Sequence, residues 1–429
     1  MTDPGEWRRV RAYLQEHRHE LSASAAARYP AADRAEGTAL LTAPSWLPAA
    51  PLPLDAVRLS QLTPAGGDPL APAPGGAVPG GSVPGGAVPG GAVPGRAGPD
   101  HVAWDAALAA VLPRRADGSP YRRYSAAVAD LAAPAIFEDR RTYRLASADL
   151  AGADLADADL ADADLAGADL AGADLTRAGA AGPRGSLAFG PGTFFQGYDV
   201  GAAVAHEHAA AVAGVLARED LRALAGEPCD LARRPANLAI STLTLRADRT
   251  AATFPLHWRD PAKVGHAGGL YQVVPVGIFQ AADDGPASQA QDFDLWRGMV
   301  REFAEELLGT PEHYGPAGTA VDYRAWPFAQ RLTAARDAGA VRPWVLGLGV
   351  DPLTLATDLL TAVVIDAPVF DELFGAMVTI NAEGRVVPGL AFTSSTVSRL
   401  TTGEPMQAAG AALLRLAWRH RRLLWPAAG

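Results

Sequence analysis

Residues 292–309, DFDLWRGMVREFAEELLG, predict a helix with an apolar stripe beside a carboxylate edge. At 100° per residue its large apolar side chains share one side, and they are Leu295, Trp296, Met299, Phe303 and Leu307. Glu302, Glu305 and Glu306 lie at or next to the edge of that stripe. Neighbouring like charges repel at about 0.2–0.5 kcal/mol per pair, so a divalent cation would stabilise them. On the pattern alone, an ordinary amphipathic helix with a solvated glutamate face is the simpler interpretation.

The surrounding motifs favour a more specific interpretation. Residues 301–306, Arg-Glu-Phe-Ala-Glu-Glu, resemble the REUXEE core of the Nudix box, in which U is a bulky apolar residue. Ahead of them, residues 256–261 (LHWRDP) and 267–277 (AGGLYQVVPVG) resemble the Nudix strand, short loop and strand that ends in a Pro-x-Gly turn. Residues 345–366 resemble a later hairpin of the same superfamily. The resemblance covers residues 237–370 and depends on the order of these motifs.

The resemblance implies a fold, a metal and a substrate class. The fold is α/β, a Nudix-like α/β/α sandwich with a mixed sheet, preceded here by a helical N-terminal region and low-complexity repeat insertions. The cofactor is Mg²⁺, held by Glu302, Glu305 and Glu306, which would neutralise a diphosphate and activate water. Arg301 would orient a glutamate through a charge-assisted hydrogen bond. The family cleaves nucleoside diphosphates linked to another moiety, so a small nucleotide ligand is expected. The weaker substrate-binding candidates are Arg259, Gly268, Gly269 and Gly277.

Two positions of the box depart from the family pattern. Phe293 stands where the family has a glutamate, and Leu308 stands where it has a glycine, with Gly309 one place later. These departures favour a second hypothesis, a catalytically degenerate Nudix-like module that senses a ligand. The chain also resembles uncharacterised bacterial proteins of this architecture that are associated with transcriptional regulators. Hydrolase and sensor therefore both stay open.

A repeat of five residues, A-D-L-x-x, runs six times through residues 148–177. It resembles the pentapeptide-repeat proteins, whose chain winds as a four-sided β-helix. Three structures remain possible for so short a tract, namely a coil stacked on the main domain, an Ala/Leu-rich helix and a disordered acidic insertion. The tract also raises a third functional hypothesis, a scaffold whose acidic repeat recruits a protein partner.

Charge and composition narrow the function classes. The formal charge is −10, and the eight Asp and one Arg of residues 148–177 contribute −7 of it. No broad basic field remains, so direct binding to nucleic acid is not expected. No uncharged apolar run of about 18 residues occurs, and the N-terminus is too polar for a signal peptide, so no membrane span is predicted. With Cys229 as the single cysteine, the chain fits a cytoplasmic protein.

Shifts in composition divide the chain into six predicted segments. Residues 75–95 repeat Val-Pro-Gly-Gly, a composition that cannot bury enough apolar surface to fold and predicts a flexible linker. The segments are an N-terminal helix with a Pro-rich extended stretch (1–63), the VPGG linker (64–100), a small ordered segment (101–147), the pentapeptide tract (148–177), a helical connector (178–236) and the Nudix-like domain with a C-terminal helix (237–429).

Local patterns predict further elements. Residues 5–28 and 199–218 are expected to be helices, and residues 239–246 and 253–258 are expected to be paired strands. Within the second helix, His206, Glu207 and His208 suggest a metal site. Histidines two apart point about 200° away from each other on a helix, so they are interpreted as structural or solvent-facing.

Overall fold

A computed structural model describes residues 3–62, 100–134, 137–152, 185–260, 268–311, 319–381 and 384–425. The VPGG repeats and most of the A-D-L-x-x tract lie outside these residues, so the three structures considered for the tract stay predictions. Within the described ranges, no helix has the length and apolar character needed to cross a membrane.

The described chain alternates helices with short and long strands. The helices are α1 (Pro4–Glu16), α2 (Arg18–Ala26), α3 (Asp100–Val111), α4 (Tyr124–Leu131), α5 (Phe194–Val212), α6 (Asp220–Ala225), α7 (Pro286–Gln291), α8 (Leu295–Glu302), α9 (Pro327–Asp337), α10 (Ala367–Phe374), α11 (Ser394–Gly403), α12 (Ala408–Arg419) and α13 (Arg421–Leu424). The strands are β1 (Leu52–Pro53), β2 (Val57–Gln61), β3 (Arg141–Asp149), β4 (Gly185–Thr193), β5 (Leu238–Ala247), β6 (Ala252–Arg259), β7 (Tyr271–Val273), β8 (Val276–Ile278), β9 (Val341–Val350), β10 (Thr357–Asp366) and β11 (Gly384–Ala391).

The main sheet is mixed and has the order β1-β9-β10-β5-β6-β11, with β7 beside β6 and β8 beside β5. β5 and β10 run parallel, whereas β9, β6 and β8 pair antiparallel with their neighbours. The mixed α/β class is therefore confirmed. The predicted strand pair at 239–246 and 253–258 is also confirmed, because β5 and β6 pair through Arg246 and Thr253.

Helices cover both faces of this sheet. Along β10, Leu359 and Val363 belong to one buried cluster with α8, whereas Leu360 and Val364 belong to a second cluster with α12. Because successive strand residues point to opposite faces, this alternation requires apolar cover on both sides. The result is three layers, helix on sheet on helix.

The N-terminal half of the chain contributes to the same core. Trp7, Trp104 and Tyr124 lie in one buried cluster with Ile240 of β5. β1 pairs with β9, so the first segment also extends the main sheet. The predicted boundaries at 63, 147 and 236 therefore separate stretches of sequence whose buried residues meet in one core.

A second sheet of three strands has the order β2-β4-β3. No strand was predicted at β4, because its glycines and Pro191 are typical of loops. Leu187 and Phe189 of β4 are nevertheless buried, and the strand lies between β2 and β3. Pairing on both sides, which sequence pattern does not reveal, stabilises this glycine-rich strand.

Two predicted helices have different bounds in the structure. The helix expected at 5–28 divides at His17, whose backbone leaves the helical region, into α1 and α2. The helix expected at 199–218 begins earlier, at Phe194, because Thr193 and Gln196 form a capping box there. It ends at Val212.

Close packing of α5 against the 351–356 turn predicts a strong effect of Gly201→Ala. A Cβ atom at this position would overlap the backbone carbonyl oxygen of Thr354, which cannot rotate away. We expect Gly201→Ala to lower the stability by about 1–3 kcal/mol, measured as a fall in melting temperature. Gly190→Ala is the matched control, since a Cβ there meets nothing within 4 Å. Equal melting temperatures for the two variants would contradict the packing.

Candidate ligand-binding site

A cavity of about 360 Å³ opens where the N-terminal helices meet the main sheet, a size typical of small-molecule sites. Helices α1, α2 and α5 form one wall, the first residues of β5 and β10 form another, and β8 with the end of α8 completes it. Its ionisable lining residues include four arginines and three carboxyl groups, namely Arg11, Arg18, Arg234, Arg259, Glu302, Glu305 and Asp358.

The helix that carries the Nudix-like box, here called the box helix, consists of α8 and the turn that follows it, residues 295–307. It is amphipathic as predicted, and all five residues of its apolar stripe are buried. α8 begins at Leu295, where the Asp294 carboxylate caps it by accepting a hydrogen bond from the Arg297 N–H at 3.1 Å. From Phe303 to Leu307 the chain forms a π-helical turn. A π turn closes i→i+5 hydrogen bonds and rotates later residues relative to a regular α-helix. The positions of the glutamates therefore differ from those on the predicted helix.

The three glutamates do not share one surface. Glu302 and Glu305 are half-buried and line the cavity, whereas Glu306 is buried and does not line it. The Glu306 Oε1 atom accepts a hydrogen bond from the Val276 N–H at 2.9 Å, and its Oε2 atom lies 3.4 Å from His257 Nδ1. Glu306 thus ties the box helix to β8 and to β6.

Gly277 was expected at a turn, and the structure places it in β8, opposite Ile240. The reason for a glycine here is the box helix, because a Cβ atom would overlap the carboxyl group of Glu302. Gly277 and Arg259 line the cavity. Gly268 and Gly269 do not line it. They precede β7, and Gly269 takes the left-handed φ of +80° that favours glycine.

Arg301 belongs to a buried polar network beside the cavity. Its Nη1 donates to the Tyr323 hydroxyl at 2.6 Å, and its Nη2 donates to the Gln280 carbonyl. The Tyr323 hydroxyl donates in turn to Asp292 Oδ1 at 2.8 Å, and Asp292 Oδ2 lies 3.3 Å from Arg301. Burial is the largest single influence on the pKa of Arg301 and lowers it. The nearby Tyr323 and Asp292 outweigh burial and raise the pKa above its usual value, so the side chain stays charged. Asp292, the residue before Phe293, is thus an ion-pair partner of Arg301.

Magnesium was expected on Glu302, Glu305 and Glu306, and the geometry of these residues tests the fit. Among the described residues, no group of three or more His, Cys, Asp or Glu side chains is placed to hold a metal ion. Two carboxylates at the cavity and a third bonded to β8 do not form the expected set of magnesium ligands. The metal assignment stays a prediction.

Several cavity residues carry buried oxygen atoms that have no hydrogen-bond partner within the described part of the chain. They are Gln272 Oε1, Gln407 Oε1 and Asp358 Oδ2. A buried acceptor without a hydrogen bond costs about 1–3 kcal/mol, so such atoms mark places where a donor group is favourable. Sequence patterns did not select these residues, because nothing local distinguishes them from ordinary strand and loop positions.

Asp358 has an unusual environment at the start of β10. It is 1% exposed, and its Oδ1 accepts a hydrogen bond from the Ser241 hydroxyl at 2.8 Å. Burial raises the pKa of Asp358 to about 7, because the charged form loses its hydration; the Ser241 bond opposes this shift. The carboxyl group therefore changes charge near neutral pH within the cavity.

The His206–His208 segment is structural, and its side chains are buried, not solvent-facing. His206 stacks on Trp7 and lies 3.0 Å from the Tyr124 hydroxyl, while Glu207 accepts the Leu221 and Arg222 N–H groups that begin α6. These separate partners give His206 and Glu207 structural roles, and the prediction that the segment chelates no ion stays a prediction.

Comparison with known proteins identifies one family along the chain. The family described as pentapeptide repeats matches residues 144–178 in eight copies. The predicted pentapeptide tract is therefore confirmed, with slightly wider bounds than 148–177. No curated protein matches the chain.

The environment of Asp358 predicts a pH dependence of stability. Because its pKa in the folded protein is above the value of about 4 in the unfolded chain, protonation contributes stability that is present below pH 4 and lost as the pH rises through 7. Asp358→Asn keeps an acceptor for Ser241 and cannot ionise. We expect the variant to gain stability relative to the wild type between pH 4 and 8, on the order of a few kcal/mol. Parallel curves of melting temperature against pH would contradict the assignment.

Proposed function

We propose that a Nudix-like domain binds a small nucleotide, of the nucleoside diphosphate class, in this cavity and holds it without cleaving it. The supporting observation is that residues selected by the resemblance from separate stretches of sequence line one cavity. They are Arg259, Gly277, Glu302 and Glu305. The three layers around a mixed sheet are compatible with the sandwich that the resemblance implies.

Binding is favoured over turnover by the position of the third glutamate. Glu306 bonds to the Val276 N–H and lies beside His257, so its carboxylate is engaged outside the cavity lining. The family glutamate eight residues before Arg301 is replaced by Phe293, which packs edge-on against Phe189 and Tyr143. A side chain packed among aromatic rings contributes to the core and provides no metal ligand.

Magnesium-dependent hydrolysis of a nucleoside diphosphate linked to another moiety is the second candidate. It is supported by Glu302 and Glu305, which both line the cavity. Under this hypothesis Glu302, Glu305 and Glu306 would hold Mg²⁺, which requires the Glu306 carboxylate to leave the Val276 N–H. Arg301 would then position the helix that carries these glutamates.

One experiment separates the two candidates. The protein, with and without magnesium, is screened against dinucleotides, nucleotide sugars and nucleoside triphosphates, following melting temperature and released phosphate together. We expect a ligand to raise the melting temperature without being consumed, since a ligand at 100 times its Kd stabilises by about 2.7 kcal/mol. Magnesium-dependent cleavage that is lost in Glu306→Gln would instead establish the hydrolase.

Gly277→Ala tests the cavity directly. The new Cβ displaces the Glu302 carboxyl group, so we expect nucleotide affinity to fall about tenfold, or about 1.4 kcal/mol. The control is Gly190→Ala, which adds the same methyl group to a strand with open space around it. A nucleotide that binds both variants like the wild type would remove this cavity as its site.

The pentapeptide tract supports a third, separate role as an acidic scaffold for a protein partner, because the family match covers residues 144–178. β3 ends at Asp149, so deleting residues 153–177 leaves that strand in place. We expect the deletion to leave nucleotide binding unchanged and to abolish any partner binding of the tract, measured by pull-down with the full chain. Unaltered partner binding after the deletion would exclude this role.

A further inference from the structure

Three buried arginines from outside the Nudix-like segment line the same cavity. Arg11 and Arg18 come from α1 and α2, and Arg234 precedes β5. Their exposed fractions are 8%, 7% and 4%. Across the ranges that the structure describes, none of the three forms an ion pair with a carboxylate, whereas the buried Arg222 and Arg301 each do.

The partners that these arginines do have are neutral. Arg11 Nη1 donates to the Tyr124 hydroxyl at 3.4 Å. Arg234 Nη2 donates to the Pro228 carbonyl and to the Thr357 hydroxyl, each at 3.0 Å. The Nε atoms of Arg18 and Arg234 are buried without a hydrogen-bond partner in the described chain.

Arg18 is the most isolated of the three. The nearby carboxylate of Asp351 is engaged in its own turn, where Oδ1 accepts the Leu353 and Thr354 N–H groups at 2.9 and 2.8 Å. Burial lowers the pKa of Arg18, the attraction of the Asp351 carboxylate opposes this shift in part, and the neighbouring positive charge of Arg11 adds to it. Burial likewise lowers the pKa of Arg234 to about 10, so this side chain still carries its charge at neutral pH.

Such an arrangement of buried arginines is unfavourable in the protein without a bound anion. A buried cation that forms no ion pair loses its hydration, and for Arg18 the Coulombic attraction of Asp351 offsets that loss only in part. Two like charges in the same wall add repulsion. A compact anion with several acceptor oxygens would relieve both costs, because guanidinium groups match phosphate oxygens with paired N–H donors.

We propose that Arg11, Arg18 and Arg234 form a subsite for a phosphate group, so that the N-terminal helices provide part of the binding site. This subsite would hold the phosphate of the ligand in the proposed function. It rests on that function only because both use the same cavity. Glu302 and Glu305 in the same lining repel an anion. The phosphate is therefore held by the arginines, and the rest of the ligand meets the carboxylates and the unpaired amide oxygens.

The test uses the full chain and inorganic pyrophosphate without magnesium, at constant ionic strength, with calorimetric titration and melting temperature as readouts. We expect pyrophosphate to bind the wild type and Arg18→Met to bind it at least tenfold more weakly. Without ligand, Arg18→Met should melt at the same temperature as the wild type or higher, since the substitution removes an unpaired buried cation. A purely structural arginine would give a lower melting temperature and an unchanged affinity.

Two further variants complete the design. Arg9→Met removes a cation from α1, the helix that carries Arg11, at a side chain that is 74% exposed, and should leave pyrophosphate affinity unchanged. Arg234→Lys keeps the charge and removes the planar fork of the guanidinium group, and should weaken pyrophosphate binding severalfold. This variant provides the test if Arg18→Met does not fold. Equal affinity in the wild type, Arg18→Met and Arg234→Lys would overturn the subsite, as would a wild type that does not bind pyrophosphate.

The outcomes also separate this inference from the proposed function. Pyrophosphate binding that depends on Arg18, without binding of any nucleotide, would support the subsite and contradict the nucleotide assignment. Nucleotide binding that is lost in Gly277→Ala but unaffected by Arg18→Met would support the proposed function and overturn the subsite.

Discussion

The parallel pairing of β5 with β10 is the constraint on which the rest of the structure depends. The two strands stay in register over ten residue pairs, from Leu238 opposite Thr357 to Ala247 opposite Asp366. Parallel neighbours cannot be joined by a tight turn, so the intervening chain must leave the sheet and return. That excursion contains the box helix and β6 to β9. Because both faces of the pair are apolar, helices must cover both sides, which produces the three layers.

The same pairing determines where the cavity lies. The two strands begin at the same edge of the sheet, where Ser241 donates to Asp358 and the Thr242 and Thr361 hydroxyls lie 2.9 Å apart. Polar groups so deep in a sheet are stabilised by hydrogen bonds, and among the described residues Asp358 Oδ2 has no hydrogen-bond partner. At this edge α5 and the N-terminal helices close over the strands. Residues that are far apart in sequence, such as Arg18 and Glu302, therefore line one cavity.

Strong local patterns predicted the centre of the fold well. β5, β6, β10 and the apolar stripe of the box helix are continuous or periodic runs of apolar residues, and burial preserves such patterns. β4 and β11 were not predicted, because their glycines and prolines are typical of loops and their pairing partners lie far along the chain. The sharing of one core by Trp7, Trp104 and Ile240 was likewise invisible, since composition alone marks linkers and not contacts.

The sequence by itself determined the pentapeptide tract and the amphipathic box helix, because each depends on a period within a few neighbouring residues. It indicated the mixed α/β class through the order of motifs between residues 237 and 370. It also selected Arg259, Gly277, Glu302 and Glu305, which meet at the cavity. Only the tertiary structure decided that a π turn separates Glu306 from that cavity and that three arginines from other segments enter it. The orientation of a side chain toward a shared space depends on contacts between distant elements, and these contacts leave no local period to detect.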